Sequence, residues 1–221
     1  RQLGYELPEE TSQEDLVALI EELNARKDVN AILLQLPLPA HMDEEKILEK
    51  IAPEKDVDGL HPMNIGALCL GKKGFVSCTP AGIIQLLKRN GIAIEGKECV
   101  VIGRSNSVGK PMALLLLQEN GTVTITHSHT ADLKTITKKA DILIVAAGKE
   151  KLIKAEDVKE GAVVIDVGIH RDEHNHLTGD VDFDSVAPKC SAITPVPGGV
   201  GPMTIAMLMK NCLESVTRSL S

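Results

Sequence analysis

Residues 99–111, CVVIGRSNSVGKP, decide the fold of this chain. The apolar run at 99–102 predicts a buried strand, and a helix is predicted near 109–119. A glycine-bearing turn between a strand and a helix leaves backbone N–H groups beside the positive end of the helix dipole, so the stretch predicts an anion site. It matches the dinucleotide pattern G-x-G-x-x-G only loosely, because Ser105 and Val108 stand in place of the second and third glycines. The alternative is a tight strand-to-helix turn that binds nothing.

Predicted strands and helices alternate along the chain around this stretch. Further strands are predicted at 123–126, 142–146, 163–167 and 192–194, and helices from Thr79 to the residue before Gly91, at 132–139, and more weakly at 154–158 and 184–187. Continuous apolar strands that alternate with helices are typical of a parallel sheet covered on both faces. The predicted fold class is therefore α/β, with a Rossmann-like doubly wound parallel sheet.

The first part of the chain predicts a smaller, truncated α/β substrate lobe. Helices are predicted at 12–27 and 43–50, and the one convincing strand is 31–34. Because one strand is not a sheet, we expect the beginning of this lobe to lie ahead of Arg1. A last helix, near 202–217, is expected to return to the lobe and complete it.

The last helix carries an apolar face that we expect to pack on the first lobe, formed by Ile205, Leu208, Met209, Cys212 and Val216. The predicted organisation is the remainder of a substrate-binding catalytic lobe at 1–77 and the dinucleotide-binding domain at 78–197. Residues 198–221 are predicted to form a glycine loop and the returning helix.

The composition excludes several classes of function. The 221 residues carry a net charge of −7, which gives no attraction to nucleic acid or anionic lipid. No apolar run approaches the ~18 residues of a membrane span, and aromatic residues, at 1%, are too few for a base-stacking surface. The five scattered cysteines never form C-x-x-C, so we expect no disulfide framework, no zinc site and a reducing, cytoplasmic compartment.

Two His-x-His pairs, His127/His129 and His174/His176, are weak candidates for metal ligands. On an extended chain the two members of such a pair point to opposite faces. No third residue with metal-ligand spacing stands near either pair. We therefore predict no metal site.

The residues that follow the second strand of the sheet indicate which dinucleotide binds. NAD sites usually place an acidic residue there to hold the ribose 2′-hydroxyl, but this strand runs into His127-Ser128-His129 with no carboxylate. Arg104 lies in the loop where a 2′-phosphate would sit, and a charge-assisted contact of that kind is worth roughly 1.5–3 kcal/mol. We therefore predict NADP over NAD. The alternative is that Arg104 is a solvated surface arginine.

Three other places are candidate binding elements. Ile169, at the end of a later strand, packs against the nicotinamide or is a plain strand end. The run Gly198-Gly199-Val200-Gly201 lets a backbone approach a ligand closely, or it is only a flexible loop. Gln35 and Asp58 project into a cleft between the lobes, where a carboxylate recognises a guanidine-like ring edge. Asp58 is equally well explained as a turn residue bonded to its own backbone.

Together these motifs resemble one family, the bifunctional methylenetetrahydrofolate dehydrogenase/methenyltetrahydrofolate cyclohydrolases. The matching stretches are 35–39 (QLPLP), 55–59 (KDVDG), 78–82 (CTPAG), 103–105 with 108–109, 127–128, 166–169 (DVGI), 179–182 (GDVD) and 194–204. They run across nearly the whole chain in the expected order, and the combination is specific although no single piece is.

The resemblance implies oxidation of 5,10-methylenetetrahydrofolate with NADP, followed by hydrolysis of the methenyl product to 10-formyltetrahydrofolate, in one-carbon metabolism and purine biosynthesis. It implies a two-lobed homodimer that binds tetrahydrofolate derivatives in the cleft. The implied NADP contacts are Gly103, Arg104, Ser105, Ser128 and Ile169. The implied folate contacts are Leu34, Gln35, Leu36, Asp58, Pro197, Gly198, Gly199, Val200, Gly201, Pro202, Met203, Thr204 and Ile205.

The resemblance also implies roles at the reacting centre. Asp58 would anchor the pterin, and Gln35 would orient the family's catalytic lysine. That lysine belongs to a Tyr-x-x-x-Lys motif that falls ahead of Arg1, and neither Tyr5 nor Lys55 matches it. Because the hydrolytic step needs a proton-transfer group, we expect the intact protein to perform both reactions and residues 1–221 alone to lack the cyclohydrolase.

Two other functions stay open from the residues themselves. One is a dinucleotide-binding module without catalysis, and the other is an unrelated NADP-dependent dehydrogenase, because fold alone does not determine function. A folate titration of a variant at Asp58 separates the second of these from the folate enzyme.

Overall fold

The computed structural model describes residues 2–219 and contains the predicted parallel sheet. Five strands lie in the order β2-β1-β3-β4-β7, and every neighbouring pair is parallel. The strands are β1 (Glu98–Ile102), β2 (Thr122–Thr126), β3 (Ile142–Val145), β4 (Val163–Asp166) and β7 (Ala192–Ile193). The predicted strands at 99–102, 123–126, 142–146, 163–167 and 192–194 are confirmed to within one residue at each end.

Helices and one hairpin complete the described part of the chain. The α-helices are α1 (Gln13–Ala25), α2 (Glu44–Leu48), α3 (Pro62–Cys69), α4 (Cys78–Arg89), α5 (Gly109–Gln118), α6 (Leu133–Thr137), α7 (Phe183–Val186) and α8 (Val200–Ser219). Short 3-10 helices cover Ala155–Asp157 and Ala187–Lys189. The antiparallel hairpin pairs β5 (His170–Arg171) with β6 (Leu177–Thr178) and was not predicted, since two-residue strands carry no periodicity.

Alternate side chains of the central strands lie in two separate hydrophobic cores, one on each face of the sheet, which confirms the doubly wound arrangement. On one face, Val101, Ile144 and Ile165 pack against α4 and α5. On the other face, Val100 and Leu143 lie in a second cluster with residues of the 150s and α7. Strands buried on both faces carry continuous apolar residues because neither face meets water.

The first lobe is mainly helical in the described residues, and the predicted strand at 31–34 is wrong as a regular strand. Ile32 forms a single parallel bridge to Asp56, and the Ile32 N–H donates to the Lys55 carbonyl at 2.8 Å. A small core holds the lobe together, with Leu16 and Ile20 of α1 packed near Ile32. A lone extended segment with one partner residue lacks the repeated pairing that defines a strand.

Helix α3 was not predicted from the sequence. Pro62 occupies its first turn, which is the usual place for a proline at a helix start. The His61 side chain caps it, because Nδ1 accepts the Met63 N–H at 3.0 Å. Histidine is outside the common N-cap set, so Pro62 was the signal available in the sequence.

Helix α8 packs against α4, and its buried polar side chains reach the backbone of the first lobe, but its buried face is not the predicted one. Ile205 and Met209 are 64% and 58% exposed, whereas Met207, Asn211 and Ser215 are buried. The polar part of the buried face, Asn211 and Ser215, meets irregular backbone whose carbonyl groups need donors.

Asn211 supplies two of those donations. Its Nδ2 donates to the Val57 carbonyl at 2.9 Å and to the Val76 carbonyl at 3.1 Å. Ser215 donates in the same way to the carbonyls of Asn30 and Glu54. The helix is therefore attached to the first lobe by side-chain-to-backbone hydrogen bonds.

Among residues 2–219, no helix has both the length and the apolar character needed to cross a bilayer.

Replacing Asn211 tests this attachment. We expect Asn211→Ala to lower the free energy of unfolding by about 2–3 kcal/mol, because one buried and one half-buried carbonyl lose their donor. Urea denaturation with Lys210→Ala, an exposed position on the same helix, as the matched control measures the difference. Equal stability of the two variants would contradict the assignment.

Candidate active site

The candidate site lies at the carboxyl ends of β1 and β3, where the strand order changes direction. β2 lies on one side of β1 and β3 on the other. In open α/β sheets, ligands bind in the crevice at such a switch point. Gly103 stands there with φ +120°, and a Cβ on it would lie 2.2 Å from the Ala146 carbonyl oxygen. Only glycine therefore fits between the two strand ends.

The turn from β1 into α5 is tightly packed, and a side chain of the turn itself accepts two of its backbone N–H groups. The Ser105 hydroxyl accepts the Val108 and Gly109 N–H groups at 3.1 and 3.2 Å. A Cβ on Gly109 would lie 2.2 Å from the Gly103 carbonyl oxygen. The expectation of free N–H groups is thus wrong for these two donors, because the Ser105 side chain bonds to backbone N–H groups that follow it in the turn, as serine side chains often do.

Arg104 and Ser128 lie at the ends of neighbouring strands. Ile102 and Thr126 are paired in the sheet, and the Gly103 N–H donates to the Thr126 carbonyl at 2.9 Å. Arg104 and Ser128 each stand two residues beyond this pair, and both are exposed. The two neighbouring strand ends therefore carry one guanidinium, from Arg104, and one hydroxyl, from Ser128. No carboxylate directly follows β2.

A small turn presents Ser128. The His127 N–H donates to Thr130 Oγ1 at 2.8 Å, and His127 Nδ1 accepts the His129 N–H at 3.2 Å. The ring of His127 is thus engaged within its own loop. In the described part of the chain, no group of three or more His, Cys, Asp or Glu residues is arranged to hold a metal ion.

Ile169 lies at the other side of the crevice. It follows β4, which is separated from β1 by β3, and its side chain is 67% exposed. The site is therefore long across the strand ends, with Arg104 and Ser128 on one side and an exposed apolar residue on the other. This shape suits a dinucleotide, which has a charged end and a flat nicotinamide end.

The residues of the KDVDG stretch, 55–59 in the first lobe, have different structural roles. Lys55 Nζ donates to the Leu23, Asn24 and Arg26 carbonyls at 2.7–3.1 Å, which caps the end of α1. The buried Asp56 carboxylate accepts from the His61 N–H and from Asn64 Nδ2, both at 2.8 Å.

Gly59 has φ +69° and sits where a Cβ would lie 2.6 Å from the Val76 carbonyl carbon. Lys55, Asp56 and Gly59 thus have structural partners. Asp58 remains as the carboxylate of the stretch available to a ligand.

The half-buried Asp58 lies against Cys78 at the start of α4. Burial raises the pKa of Asp58, hydrogen bonds from Cys78 oppose that rise, and the Asp56 charge adds to it. Burial also raises the pKa of the Cys78 thiol, and the neighbouring Asp58 charge raises it further. Cys78 therefore stays a thiol at neutral pH and serves as a hydrogen-bond donor rather than a nucleophile.

Gln35 and its neighbours follow the backbone bridge between Ile32 and Asp56. From the bridge between Ile32 and Asp56 the two segments continue in the same direction, so Leu34 and Asp58 stand equally far from it. Gln35 is exposed, and its Nε2 donates to the Leu36 carbonyl at 3.0 Å. The Leu36–Pro37 peptide is cis.

The glycine loop leads directly into α8. The Val196–Pro197 peptide is cis, Gly198 has φ +95°, and a Cβ on Gly199 would lie 2.5 Å from the Pro195 carbonyl oxygen. Val200 is buried. The remaining predicted contact residues of this segment divide into exposed and half-buried: Pro197, Gly198, Gly201, Pro202 and Ile205 are exposed, and Gly199, Met203 and Thr204 are half-buried.

The start of α4 connects the two candidate sites. The Ser77 hydroxyl donates to the Ser107 carbonyl at 2.5 Å, in the turn of the dinucleotide crevice. The next residue, Cys78, contacts Asp58. Thr79, one further on, exchanges a 2.9 Å hydrogen bond with Thr204 at the start of α8. Three consecutive residues therefore touch the crevice, the Asp58 carboxylate and the helix that follows the glycine loop.

Two family models match this chain. The NAD(P)-binding domain of tetrahydrofolate dehydrogenase/cyclohydrolase matches residues 77–220, and the catalytic domain of the same family matches residues 2–58. A bifunctional FolD protein of Lachnoclostridium phytofermentans is 68% identical over 213 residues, which cover 96% of this chain and 76% of that protein.

Solved structures agree with the sequence matches. The bifunctional methylenetetrahydrofolate dehydrogenase/cyclohydrolase of Campylobacter jejuni superposes with a TM-score of 0.93 at 52% identity, covering 95% of this chain and 75% of that one. The Trypanosoma brucei enzyme, solved with NADP and an inhibitor, gives a TM-score of 0.92 at 42% identity, covering 97% of this chain and 75% of that one. The chain therefore belongs to the bifunctional tetrahydrofolate dehydrogenase/cyclohydrolase family of enzymes.

Proposed function

We propose that this enzyme oxidises 5,10-methylenetetrahydrofolate with NADP and hydrolyses the resulting 5,10-methenyltetrahydrofolate to 10-formyltetrahydrofolate. The observation that carries the proposal is the contact of adjacent residues with two different sites. The Ser77 hydroxyl donates a hydrogen bond to Ser107 in the dinucleotide turn, and the next residue, Cys78, lies beside Asp58. A dinucleotide bound at the Ser107 turn and a second ligand bound at Asp58 would lie next to each other at the start of α4. Direct hydride transfer requires the two reactants to be adjacent in this way.

The dinucleotide supplies the hydride acceptor. The residues of the chain set its place and orientation. Gly103 brings the ends of β1 and β3 close enough to form the floor of the crevice. Arg104 and Ser128 bind the ribose 2′-phosphate, since a guanidinium and a hydroxyl donate to phosphate oxygens and a carboxylate there would repel them. Ser105 shapes the turn, and Ile169 packs against the nicotinamide.

The pterin is held from the first-lobe side. The Asp58 carboxylate accepts the N–H groups of the guanidine-like ring edge, a pairing with two parallel hydrogen bonds. Leu34, Gln35 and Leu36 border the ring, which is supported by the parallel bridge between Ile32 and Asp56 from which both segments continue. Pro197 to Ile205 cover the folate from the glycine loop and the start of α8.

The hydrolytic step adds water to the methenyl carbon and needs a group that moves a proton. Lys55 does not supply it, because its ammonium is bonded to three carbonyls at the end of α1. The catalytic lysine of a Tyr-x-x-x-Lys motif, oriented by Gln35, stays a prediction for this step.

The assembly and setting of the enzyme follow from the same proposal. β2 is an edge strand, and its Ile125 is 43% exposed, which supports a homodimer whose subunits cover this edge. Light scattering should give twice the mass of the chain, and a monomer at micromolar concentration would contradict the dimer. We propose that the enzyme acts in the cytoplasm and that its product, a one-carbon donor, supplies purine biosynthesis.

The cofactor assignment predicts a selective effect of one substitution. In assays of methenyltetrahydrofolate formation, NADP should support the reaction better than NAD. Arg104→Ala should weaken NADP binding by about 10–100-fold, the equivalent of roughly 1.5–3 kcal/mol for a lost charge-assisted contact, with little change for NAD. Fluorescence titration of both dinucleotides measures this.

Arg89→Ala is the charge-matched control, because Arg89 is exposed at the far end of α4. An equal loss of NAD and NADP affinity in Arg104→Ala would contradict the assignment of the 2′-phosphate.

The pterin assignment predicts the reverse selectivity. Asp58→Asn should weaken tetrahydrofolate binding by about 10–100-fold, because the amide cannot accept both ring-edge donors, while NADP binding stays unchanged. The exposed Glu54→Gln is the matched control. Unchanged folate affinity would favour a dehydrogenase with a different substrate.

The raised pKa of Asp58 gives this variant a pH signature. A carboxyl whose pKa is higher in the folded than in the unfolded protein favours folding most at pH values below its unfolded pKa, and this contribution is lost as pH rises through the folded pKa. Asp58→Asn should therefore have a higher melting temperature than the parent protein at pH 7, and the difference should shrink on acidification below the usual aspartate pKa of 3.8. A lower melting temperature at pH 7 would contradict the role of burial.

A further inference from the structure

Asp180 is a fully buried carboxylate outside the residues assigned above. Its side chain is 0% exposed, and it follows the β5–β6 hairpin. One carboxylate oxygen accepts the Ala147 and Gly148 N–H groups at 2.7 and 3.0 Å, and the other accepts the Lys149 N–H at 2.9 Å. Three consecutive amides of the loop after β3 thus converge on one side chain.

His170 is the fourth donor to this carboxylate. Its Nε2 lies 2.7 Å from Asp180 Oδ1. A buried carboxylate with four donors replaces its lost hydration by fixed hydrogen bonds. The loop 147–149 and the hairpin strand β5 are therefore held to one another by a single group.

A second carboxylate, Asp166 at the end of β4, fixes Asp180 itself. Asp166 accepts the Gly168 and Asp180 N–H groups, both at 2.9 Å, and the Val181 N–H at 3.0 Å. A Cβ on Gly179 would lie 1.9 Å from Asp166 Oδ2, and a Cβ on Gly168 would lie 2.5 Å from Asp180 Oδ1. Each carboxylate occupies space that a side chain on one of these glycines would need.

This pair of carboxylates borders the dinucleotide crevice on two sides. Ala146, whose carbonyl Gly103 approaches, directly precedes the loop that Asp180 holds. Ile169 stands between Gly168, bonded to Asp166, and His170, bonded to Asp180. Any displacement of Asp180 therefore moves the loop beside Gly103 and the turn that carries Ile169.

We propose that Asp180, together with His170, is a positioning residue for the nicotinamide dinucleotide. The inference rests on the proposed NADP-dependent dehydrogenase function and extends it to residues that touch neither ligand. The carboxylate sets the distance between the wall of the crevice at 146–149 and the apolar face of Ile169. The first lobe is outside its reach, so folate binding does not depend on it.

Substitution by asparagine removes part of this support without changing size. Asparagine keeps one acceptor oxygen, and its amide group faces N–H donors that the second oxygen accepted. At least one of the loop amides therefore loses its partner and the loop relaxes. The matched control is Asp184→Asn, which makes the same charge change at an exposed position close by in the chain.

The experiment compares the affinity of the naturally occurring protein and its variants for NADP and for tetrahydrofolate by titration. Asp180→Asn should weaken NADP binding about tenfold and lower dehydrogenase kcat, while tetrahydrofolate affinity stays within twofold of the parent protein. Asp184→Asn should match the parent protein in both. Equal loss of both affinities, or retained NADP affinity in a folded Asp180→Asn protein, would overturn the proposal.

Variants at His170 keep the test decisive if Asp180→Asn does not fold. His170→Leu removes the fourth donor and should weaken NADP binding, and His170→Gln, which retains an N–H donor, should restore at least half of the loss in binding free energy. Equal NADP affinity of the two variants would count against the positioning role. If the parent protein itself binds no NADP, the proposed function fails rather than this inference.

Discussion

Both candidate ligand sites depend on one constraint: buried polar groups need hydrogen-bond partners. At these sites, buried side chains and the irregular backbone of loops serve as partners for one another. Among residues 2–219, no buried side-chain nitrogen or oxygen lacks a hydrogen-bond partner. Asp56 holds the start of α3, Asp166 holds the turn after β4, and Asn211 holds two first-lobe carbonyls. Loops at strand ends have few regular backbone partners, so these side chains provide the rigidity that a sheet provides elsewhere.

The sheet was predictable because its strands are apolar on both faces, a pattern that follows from burial alone. The first lobe was less predictable. The segment around Ile32 has the residues of a strand but pairs only with Asp56, and pairing is a tertiary property that composition does not reveal. Helix α8 shows the opposite problem, since its exposed face is the apolar one and its buried face carries Asn211 and Ser215. Hydrophobic periodicity assumes that a helix meets an apolar partner.

The candidate site was predictable where one motif supplies one local geometry. The strand–turn–helix at Gly103 follows from the order of residues around it, and Arg104 and Ser128 come together because neighbouring parallel strands end side by side. Roles that depend on distant contacts were out of reach. The use of Lys55 as a helix cap becomes visible only when its three carbonyl partners are in place. The network of Asp180 also joins segments more than thirty residues apart.

The contacts at the start of α4 have a consequence for the two binding equilibria. Ser77, Cys78 and Thr79 are consecutive at the start of α4, where Ser77 is hydrogen-bonded to Ser107, Thr79 is hydrogen-bonded to Thr204, and Cys78 lies beside Asp58. A dinucleotide that shifts the turn at Ser107 would therefore also shift the residue that lies beside Asp58. By thermodynamic linkage, the pterin would then change the affinity for the dinucleotide by the same factor by which the dinucleotide changes the affinity for the pterin. Under the proposed function, the binding of the dinucleotide and of the pterin would be coupled through this one stretch of backbone.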